Sequence, residues 1–487
     1  MTGLVTFVGA GPGRLDWVTQ AGRMAIERAD TILVDALVSP ALLSWARWEA
    51  EVIDVGKRGG QPSMPQEQIC ALLVEYARQG RRVVRLKGGD PGTFGRLPEE
   101  IASLRAHNLK WEVIPGISAA AAAAARAGIS LTDRDHAASL TLLTGHRRLE
   151  GPRPELDWAA ASRSGTGAVY MGILHARRNA RRLLDQGVPP DTPVLIAEAV
   201  STDRERLIRT TLAELPSAIE RERVRPPAIW IYGEVARSAA TDQPRLRGTV
   251  ALFRPWGQHL EWHDALLAEG WQPVAIPLQR YEDPPDTGNI TQVLSEPFDV
   301  IALASIEAAR RLLGRLTAMG RDIRALAGTE IAVPGRATAA FLEQAGCRAD
   351  IVLDAPTGMA ALESTLRERP SGRLLIAGEH VEPPPWAIAL EATGWDTRTV
   401  ALYRKVPRPE LPATWSLLFR RHERPVCIWS SSSQVQLISA WVGVLPNTVH
   451  VAIGQRTADA LTAAGVADVA VAARPGLAGI LEQLSAL

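Results

Sequence analysis

Cysteine is scarce in this chain. Three stand in 487 residues, Cys70, Cys347 and Cys427, far apart and in no Cys-x-x-Cys pair. That excludes a disulfide-stapled fold and a thiolate zinc site, and points to reduced core thiols in a cytoplasmic protein. No apolar run reaches bilayer length, so no membrane span is expected. The longest run, the alanines at 119–125, suits a tightly packed helix. No basic leader with a cleavage site is visible, because Leu4 to Val8 already reads as a strand. An excess of one charge is lacking too. With 54 Lys plus Arg against 53 Asp plus Glu, a dedicated nucleic-acid partner is not expected, although local arginine clusters remain open to a small anion. His259 and His263 have helical spacing but not the H-E-x-x-H pattern, so a solvated helix face is expected there and no metal site.

What the chain has is length and alternation. Its 487 residues exceed one ordinary core, and three or four domains are expected. Short β-branched strands, Gly- or Pro-containing turns and helices repeat from the start: Leu4–Val8, Thr31–Val34, Glu51–Val55, Val83 onward and Trp111–Ile114. Such repeats predict a mostly parallel sheet covered by helices, with ligands outside the carboxyl ends of the strands. Pro12, Asp35, Lys57, Asp90 and Ser118 all fall just after predicted strands. The first turn, Gly9-Ala10-Gly11-Pro12-Gly13, is G-x-G-x-G and lacks the dinucleotide spacing, which disfavours a dehydrogenase.

The stretch Arg85-Leu86-Lys87-Gly88-Gly89-Asp90-Pro91-Gly92-Thr93-Phe94-Gly95-Arg96 is the most distinctive. Two adjacent glycines at a strand end let a ligand lie on bare main chain. Asp90 is placed to accept hydrogen bonds. Arg96 and Glu99 stand at i, i+3 and read either as pocket residues or as a solvated ion pair. From about Leu140 the strands are less regular, which predicts a second, mixed lobe. The segment 236–248 is small, polar and interrupted by proline, and reads as a linker. Beyond it a diverged repeat pairs Gly335-Arg336-Ala337-Thr338 with Gly454-Gln455-Arg456-Thr457, and Ser305 with Ser430-Ser431. Two similar α/β lobes follow, each offering a helix N-terminus suited to carboxylates.

The ordered set Val8–Gly13, Asp35-Ala36-Leu37-Val38-Ser39, Gly56-Lys57-Arg58, Arg85–Arg96, Pro115-Gly116-Ile117-Ser118-Ala119, Thr144-Gly145-His146 and Tyr170-Met171-Gly172 resembles uroporphyrinogen-III C-methyltransferases over residues 3–237. The resemblance implies an α/β, two-lobed tetrapyrrole methylase (class III methyltransferase), lobes about 1–116 and 117–237, and a homodimer formed through this half. It implies S-adenosylmethionine as cofactor, leaving S-adenosylhomocysteine, with no metal. Matching positions imply cofactor contacts at Pro12, Gly88, Gly89, Asp90, Thr93, Ser118, Ala119, Met171 and Val200. Asp35 and Lys57 match the proton acceptor and donor. Arg96, Glu99, Arg134, His146 and Met171 match residues around the macrocycle. Ala36, Gly92, Leu97-Pro98 and Val200 depart from the family pattern.

After a linker at 238–247, residues 248–487 resemble uroporphyrinogen-III synthase, which implies two flavodoxin-like α/β lobes, 248–282 plus 406–487 and 287–400, joined by two short crossing strands. Tyr403 matches that family's favoured proton donor, and Ser305, Thr338, Ser431 and Thr457 its substrate-binding positions. Leu303-Ala304-Ser305 and Pro334 depart from its pattern. Together the resemblances imply a bifunctional enzyme of siroheme or cobalamin biosynthesis. It would close hydroxymethylbilane to uroporphyrinogen III, then methylate C2 and C7 to give precorrin-2. Two alternatives stay open: a methyltransferase whose C-terminal half only binds tetrapyrroles, and methylation of another substrate such as a corrinoid.

Overall fold

The computed structural model describes residues 3–56, 64–146, 156–285, 288–353, 358–379, 382–419, 424–443, 445 and 448–487. The chain forms two compact units. The first runs to Leu252 and adds His259–Ile276 and Pro412–Ile428; the second holds Phe253–Gln258, Pro277–Leu411 and Trp429–Leu487.

In the first unit, β1 (Leu4–Gly9), β2 (Thr31–Val34), β3 (Glu51–Asp54), β4 (Val83–Lys87) and β5 (Lys110–Ile114) make a parallel sheet ordered β3-β2-β4-β1-β5. Its three central strands are buried almost throughout, as a sheet with helices on both faces requires. Helix α1 (Gln20–Arg28) starts at Thr19, whose hydroxyl accepts the Gly22 N–H at 3.1 Å. Helices α2 (Gln66–Arg78) and α3 (Leu97–Ala106) place Ile69, Leu73 and Leu104 against Val5, Phe7, Leu33 and Val83. At the carboxyl edge three turns meet main chain to main chain. A Cβ added to Gly9 would lie 2.4 Å from the Gly116 nitrogen, and one on Gly116 would lie 2.3 Å from the Gly89 oxygen, so only glycine fits.

A second sheet, β6 (Leu140–Thr144), β7 (Thr166–Tyr170), β8 (Pro193–Glu198), β9 (Arg206–Thr211) and β10 (Ala228–Tyr232), is ordered β6-β7-β10-β8-β9. Only β6 and β7 are parallel; the other pairs are antiparallel. The mixed lobe is as the sequence suggests, but β9 was not legible, because its Arg206 and Arg209 break the apolar pattern of an edge strand. Helix α4 (Ala119–Arg126) buries Ala120, Ala122 and Ala123 against Ala168, Leu195, Ala197 and Ile231. Methyl side chains let it sit close on this sheet.

Residues 259–276 also pack into this unit. Strands β11 (Gly248–Phe253) and β12 (Trp271–Ala275) pair in parallel, Gly248 opposite Trp271. The Ser44 hydroxyl accepts the Ala275 N–H at 2.9 Å, and the Ser44 carbonyl lies 2.9 Å from His259 Nε2. His259 and His263 are therefore both buried, at 4% exposure each, and the solvated helix face expected from their spacing is wrong. Trp262 and Leu266 carry the segment into the core with them.

In the second unit, β13 (Gln279–Glu282), β14 (Val300–Leu303), β15 (Glu330–Val333), β16 (Ile351–Val352), β17 (Arg373–Gly378), β18 (Asp396–Ala401) and β19 (Arg404–Pro407) are the strands that matter for a site. Five of them form a parallel sheet ordered β16-β15-β14-β17-β18, doubly wound with its switch point between β14 and β17. β13 and β19 pair antiparallel as a short ribbon, Gln279 opposite Pro407. Residues 429–487 contribute the parallel strands His450–Ala452 and Val469–Val471 and helices Ser432–Val442, Gln455–Ala463 and Leu477–Ser485. No helix among the described residues is long and apolar enough to cross a membrane.

Candidate functional site

The carboxyl edge of the first sheet brings the predicted residues into one row. Asp35 follows β2, Gly88–Asp90 follow β4, Gly11–Gly13 follow β1 and Ser118 follows β5, and the sheet order makes these turns neighbours. Gly11 and Gly89 exchange hydrogen bonds, the Gly89 N–H reaching the Gly11 carbonyl at 2.8 Å and the Gly11 N–H the Gly89 carbonyl at 3.2 Å. Gly89 has φ +68°, a left-handed conformation that favours glycine. A Cβ on Gly88 would approach only Leu37, which is 61% exposed, so the shelf has an open side.

Asp90 works inside the protein. Its Oδ1 accepts the Gly92 N–H at 2.8 Å and its Oδ2 the Gly116 N–H at 3.0 Å, which ties the β4 turn to the β5 turn. Thr93 Oγ1 lies 3.5 Å from the same Oδ1. Arg96 caps α3 with φ +56° and pairs with Glu99 at 2.5 Å. Both side chains are about half exposed.

The strongest electrostatic feature was not singled out from the sequence. Arg85 and Lys87 lie two apart on β4 and so share the face covered by α2 and α3. Glu100, fully buried in the first turn of α3, binds both. Arg85 Nε lies 3.2 Å from Glu100 Oε1 and Lys87 Nζ 2.8 Å from Oε2. Gln66 Nε2 adds a bond to Oε1 at 3.0 Å. Arg85 then reaches Asp35 Oδ1 at 2.5 Å and the Leu86 carbonyl at 3.1 Å. Burial holds the Lys87 ammonium below its usual range, and the neighbouring Arg85 charge adds to that, while Glu100 and Asp35 oppose it. A signal existed: central parallel strands are apolar, so two cations in Val83-Val84-Arg85-Leu86-Lys87 demand a buried carboxylate.

The second lobe closes on this edge. A Cβ on Gly13 would lie 2.9 Å from the Ser201 carbonyl, and the Arg14 N–H lies 3.4 Å from Ser201 Oγ. Ala199 and Ser201 both have positive φ, and Val200 between them is buried, 7% exposed. Tyr170, at the end of β7, is a second residue the sequence reading missed. Its hydroxyl is 2.5 Å from Ser118 Oγ and accepts the Ala120 N–H at 3.0 Å, so it caps α4. The Phe94 ring lies 5.1 Å from it. Met171 follows with φ +52° and is half exposed. His146 stacks on His175, with His146 Nδ1 2.9 Å from His175 Nε2. Burial, Arg178 and His146 together hold the His175 imidazolium below its usual range.

One expectation does not join this group. Arg134 stands in the turn closed by Asp133 and Ala137, and Ala137 lies beside Gly165 at the amino end of β7. His146 and Met171 follow the carboxyl ends of β6 and β7, so the strand length separates Arg134 from them within one chain. Lys57 lies outside the described residues.

In the second unit Ser305 follows β14, next to the switch point. It caps the helix Ile306–Ala318 by accepting the Ala308 N–H at 3.1 Å, and its hydroxyl is 3.0 Å from Tyr403 Oη. Tyr403 is 4% exposed and meets Tyr281 edge to face at 5.1 Å. Burial raises the Tyr403 phenol above its usual range; the Ser305 bond opposes this, and Glu379 and Glu307 add to it. Thr338 and Thr457 are buried in the first turns of helices capped by Gly335 and Gly454, and Ser431 caps a third helix. The repeat read in the sequence thus yields equivalent helix starts. Among the described residues no group of three or more His, Cys, Asp or Glu is placed to hold a metal ion.

Residues 4–216 match the family model of tetrapyrrole (corrin/porphyrin) methylases, and residues 261–482 that of uroporphyrinogen-III synthase HemD. A siroheme synthase of Azotobacter vinelandii is 46% identical over 236 residues, 48% of this chain and 50% of its own length. A siroheme synthase of Tolumonas auensis is 45% identical over 240 residues, 49% and 50% respectively. The chain spans about half the length of the curated relatives it matches. Among solved structures, uroporphyrin-III C-methyl transferase from Thermus thermophilus, complexed with S-adenosyl homocysteine, is 37% identical with TM-score 0.42, covering 48% of this chain and 99% of that one. A mutant uroporphyrinogen III synthase from the same organism is 20% identical with TM-score 0.36, covering 49% and 100%.

Proposed function

From a chain that belongs to the tetrapyrrole methylases over residues 4–216 and to the uroporphyrinogen-III synthases over residues 261–482, we infer a bifunctional cytoplasmic enzyme of siroheme biosynthesis. One part closes hydroxymethylbilane to uroporphyrinogen III, and the other methylates that product at C2 and C7 to give precorrin-2. The observation that carries the reading is the bare shelf at Gly88–Gly89 with the Asp35 carboxylate one strand away.

The residues at the shelf fit S-adenosylmethionine. Gly88 leaves the main chain open beside exposed Leu37, the Ser118 hydroxyl and α4 start lie across from Gly89, and half-exposed Met171 and Phe94 supply apolar surface. Pro12, Asp90, Thr93, Ala119 and the Val200 main chain would complete the hold. When bound, the cofactor supplies a methyl group on a sulfonium, whose S–C bond breaks as a C–C bond forms on the pyrrole carbon, leaving S-adenosylhomocysteine. That carbon must then lose a proton, and Asp35 accepts it, with Lys57 as the donor elsewhere in the cycle. Orienting the two reactants is most of the remaining work. Arg96 and His146 meet acetate and propionate arms, and a homodimer forms through this part.

In the synthase part the hydroxyl leaves hydroxymethylbilane as water. Tyr403 donates the proton and regains one when ring closure releases it. Ser305, Thr338, Ser431 and Thr457 bring hydroxyls and helix N-termini to the carboxylates. The test supplies the purified chain with fresh hydroxymethylbilane, with and without S-adenosylmethionine. The expected products are precorrin-2 with the cofactor and the type III isomer alone without it. Formation of only the type I isomer removes the synthase assignment, and no cofactor-dependent product from supplied uroporphyrinogen III removes the methyltransferase one.

A further inference from the structure

We propose that Arg85, anchored by Glu100, is the positioning residue that aims Asp35 at the methylated carbon. The proposal rests on the methyl-transfer reading above and concerns groups that neither resemblance nor relatives assign.

Four charged groups form one chain: Lys87, Glu100, Arg85 and Asp35. The first three are buried, with side-chain exposures of 3%, 0% and 2%. Asp35 alone is partly open, at 33%, so it is the end of the chain that faces solvent and substrate. Arg85 is fixed on three edges: Nε on Glu100, one terminal nitrogen on the Leu86 carbonyl, the other on Asp35 Oδ1. A planar guanidinium bound three ways has no freedom to turn, and it transmits that order to the carboxylate it holds. Glu100 cannot swing away, because Lys87 occupies its second oxygen and Gln66 shares its first. Two cations face two carboxylates, so the burial is balanced. With Oδ1 committed to Arg85, Oδ2 is the oxygen left to take the proton. A merely structural cluster would not need its last member at the substrate edge.

The test uses Arg85→Met in the full chain. It leaves Lys87 paired with Glu100 and Asp35 open to water, so the buried charge stays balanced. The expected result is a fall in kcat for uroporphyrinogen III methylation of about 100-fold, with KM and the calorimetric affinity for S-adenosylhomocysteine within about threefold of wild type. Arg85→Lys, which reaches only one carboxylate, recovers part of the loss. In an Asp35→Asn background, Arg85→Met costs nothing further, because it acts through Asp35. If Arg85→Met does not fold, the charge-balanced pair Lys87→Met with Glu100→Gln takes its place, with a kcat loss of about tenfold expected. The proposal is overturned if kcat stays within threefold, if cofactor-product affinity falls in step with kcat, or if the Asp35→Asn background leaves the loss undiminished. A wild-type chain that binds S-adenosylhomocysteine but methylates no uroporphyrinogen III overturns the methyl-transfer reading itself.

Discussion

His263 should make the first unit acid-sensitive. The ring is 4% exposed, and neither of its nitrogens has a hydrogen-bond partner. It lines a cavity of about 660 Å³ with Arg23, Glu27, Asp16, Asp264 and Trp45. Glu27 is engaged by Arg23 at 2.8 Å and Asp16 by Arg14 at 2.7 Å, which blunts the acids that could favour an imidazolium. Burial, with His259 and Arg23 adding to it, pushes the His263 pKa down from 6.5 to about 3. The folded value is below the unfolded one, so between them only the unfolded chain binds the proton. Stability from this group is complete above pH 6.5 and drains as pH falls toward 3. At pH 5.0 the loss is about 1.5 units at 1.36 kcal/mol each, or about 2 kcal/mol. His263→Leu, of similar volume, has no proton to take up. Urea denaturation followed by tryptophan fluorescence, at pH 7.5 and 5.0, should show the variant gaining about 2 kcal/mol on wild type between the two. A wild type-to-variant difference equal at both pH values refutes the reasoning.

Three further outcomes are expected. Gly89→Ala forces a left-handed alanine without a clash, since the nearest atoms are 3.9 Å away; it should cost about 1–2 kcal/mol and weaken S-adenosylhomocysteine binding, read by melting and calorimetry. Tyr170→Phe strips the cap from α4 and should cost about 1–2 kcal/mol by denaturant titration, with weaker cofactor-product binding. Tyr403→Phe leaves the Ser305 cap intact, so stability should hold within about 1 kcal/mol. Its type III isomer formation should drop at least tenfold, while methylation of supplied uroporphyrinogen III is unchanged.

The row of turns at the first sheet's edge was legible because glycine, proline and short strands mark it locally. Thr31–Val34 was read at its observed limits for the same reason. What was not legible depends on contacts distant in sequence. Glu100 was passed over for Glu99, yet adjacent helical residues point about 100° apart, and only the packing of α3 decides which faces Arg85. Tyr170 looks like the last apolar residue of a strand until α4 is laid beside it. The His259–His263 spacing says helix but not which side is wet, and Ser44, more than two hundred residues earlier, decides that.

Helix α4 has a mechanical role as well. It springs from the edge of one sheet at Ser118, yet its methyl groups are seated on the other. Any parting of the two sheets must therefore either unseat those alanines or fray the helix. Deuterium uptake at the amides of residues 122–127 would then keep time with the opening of the cleft, and a ligand that bridges it should slow that clock from a distance.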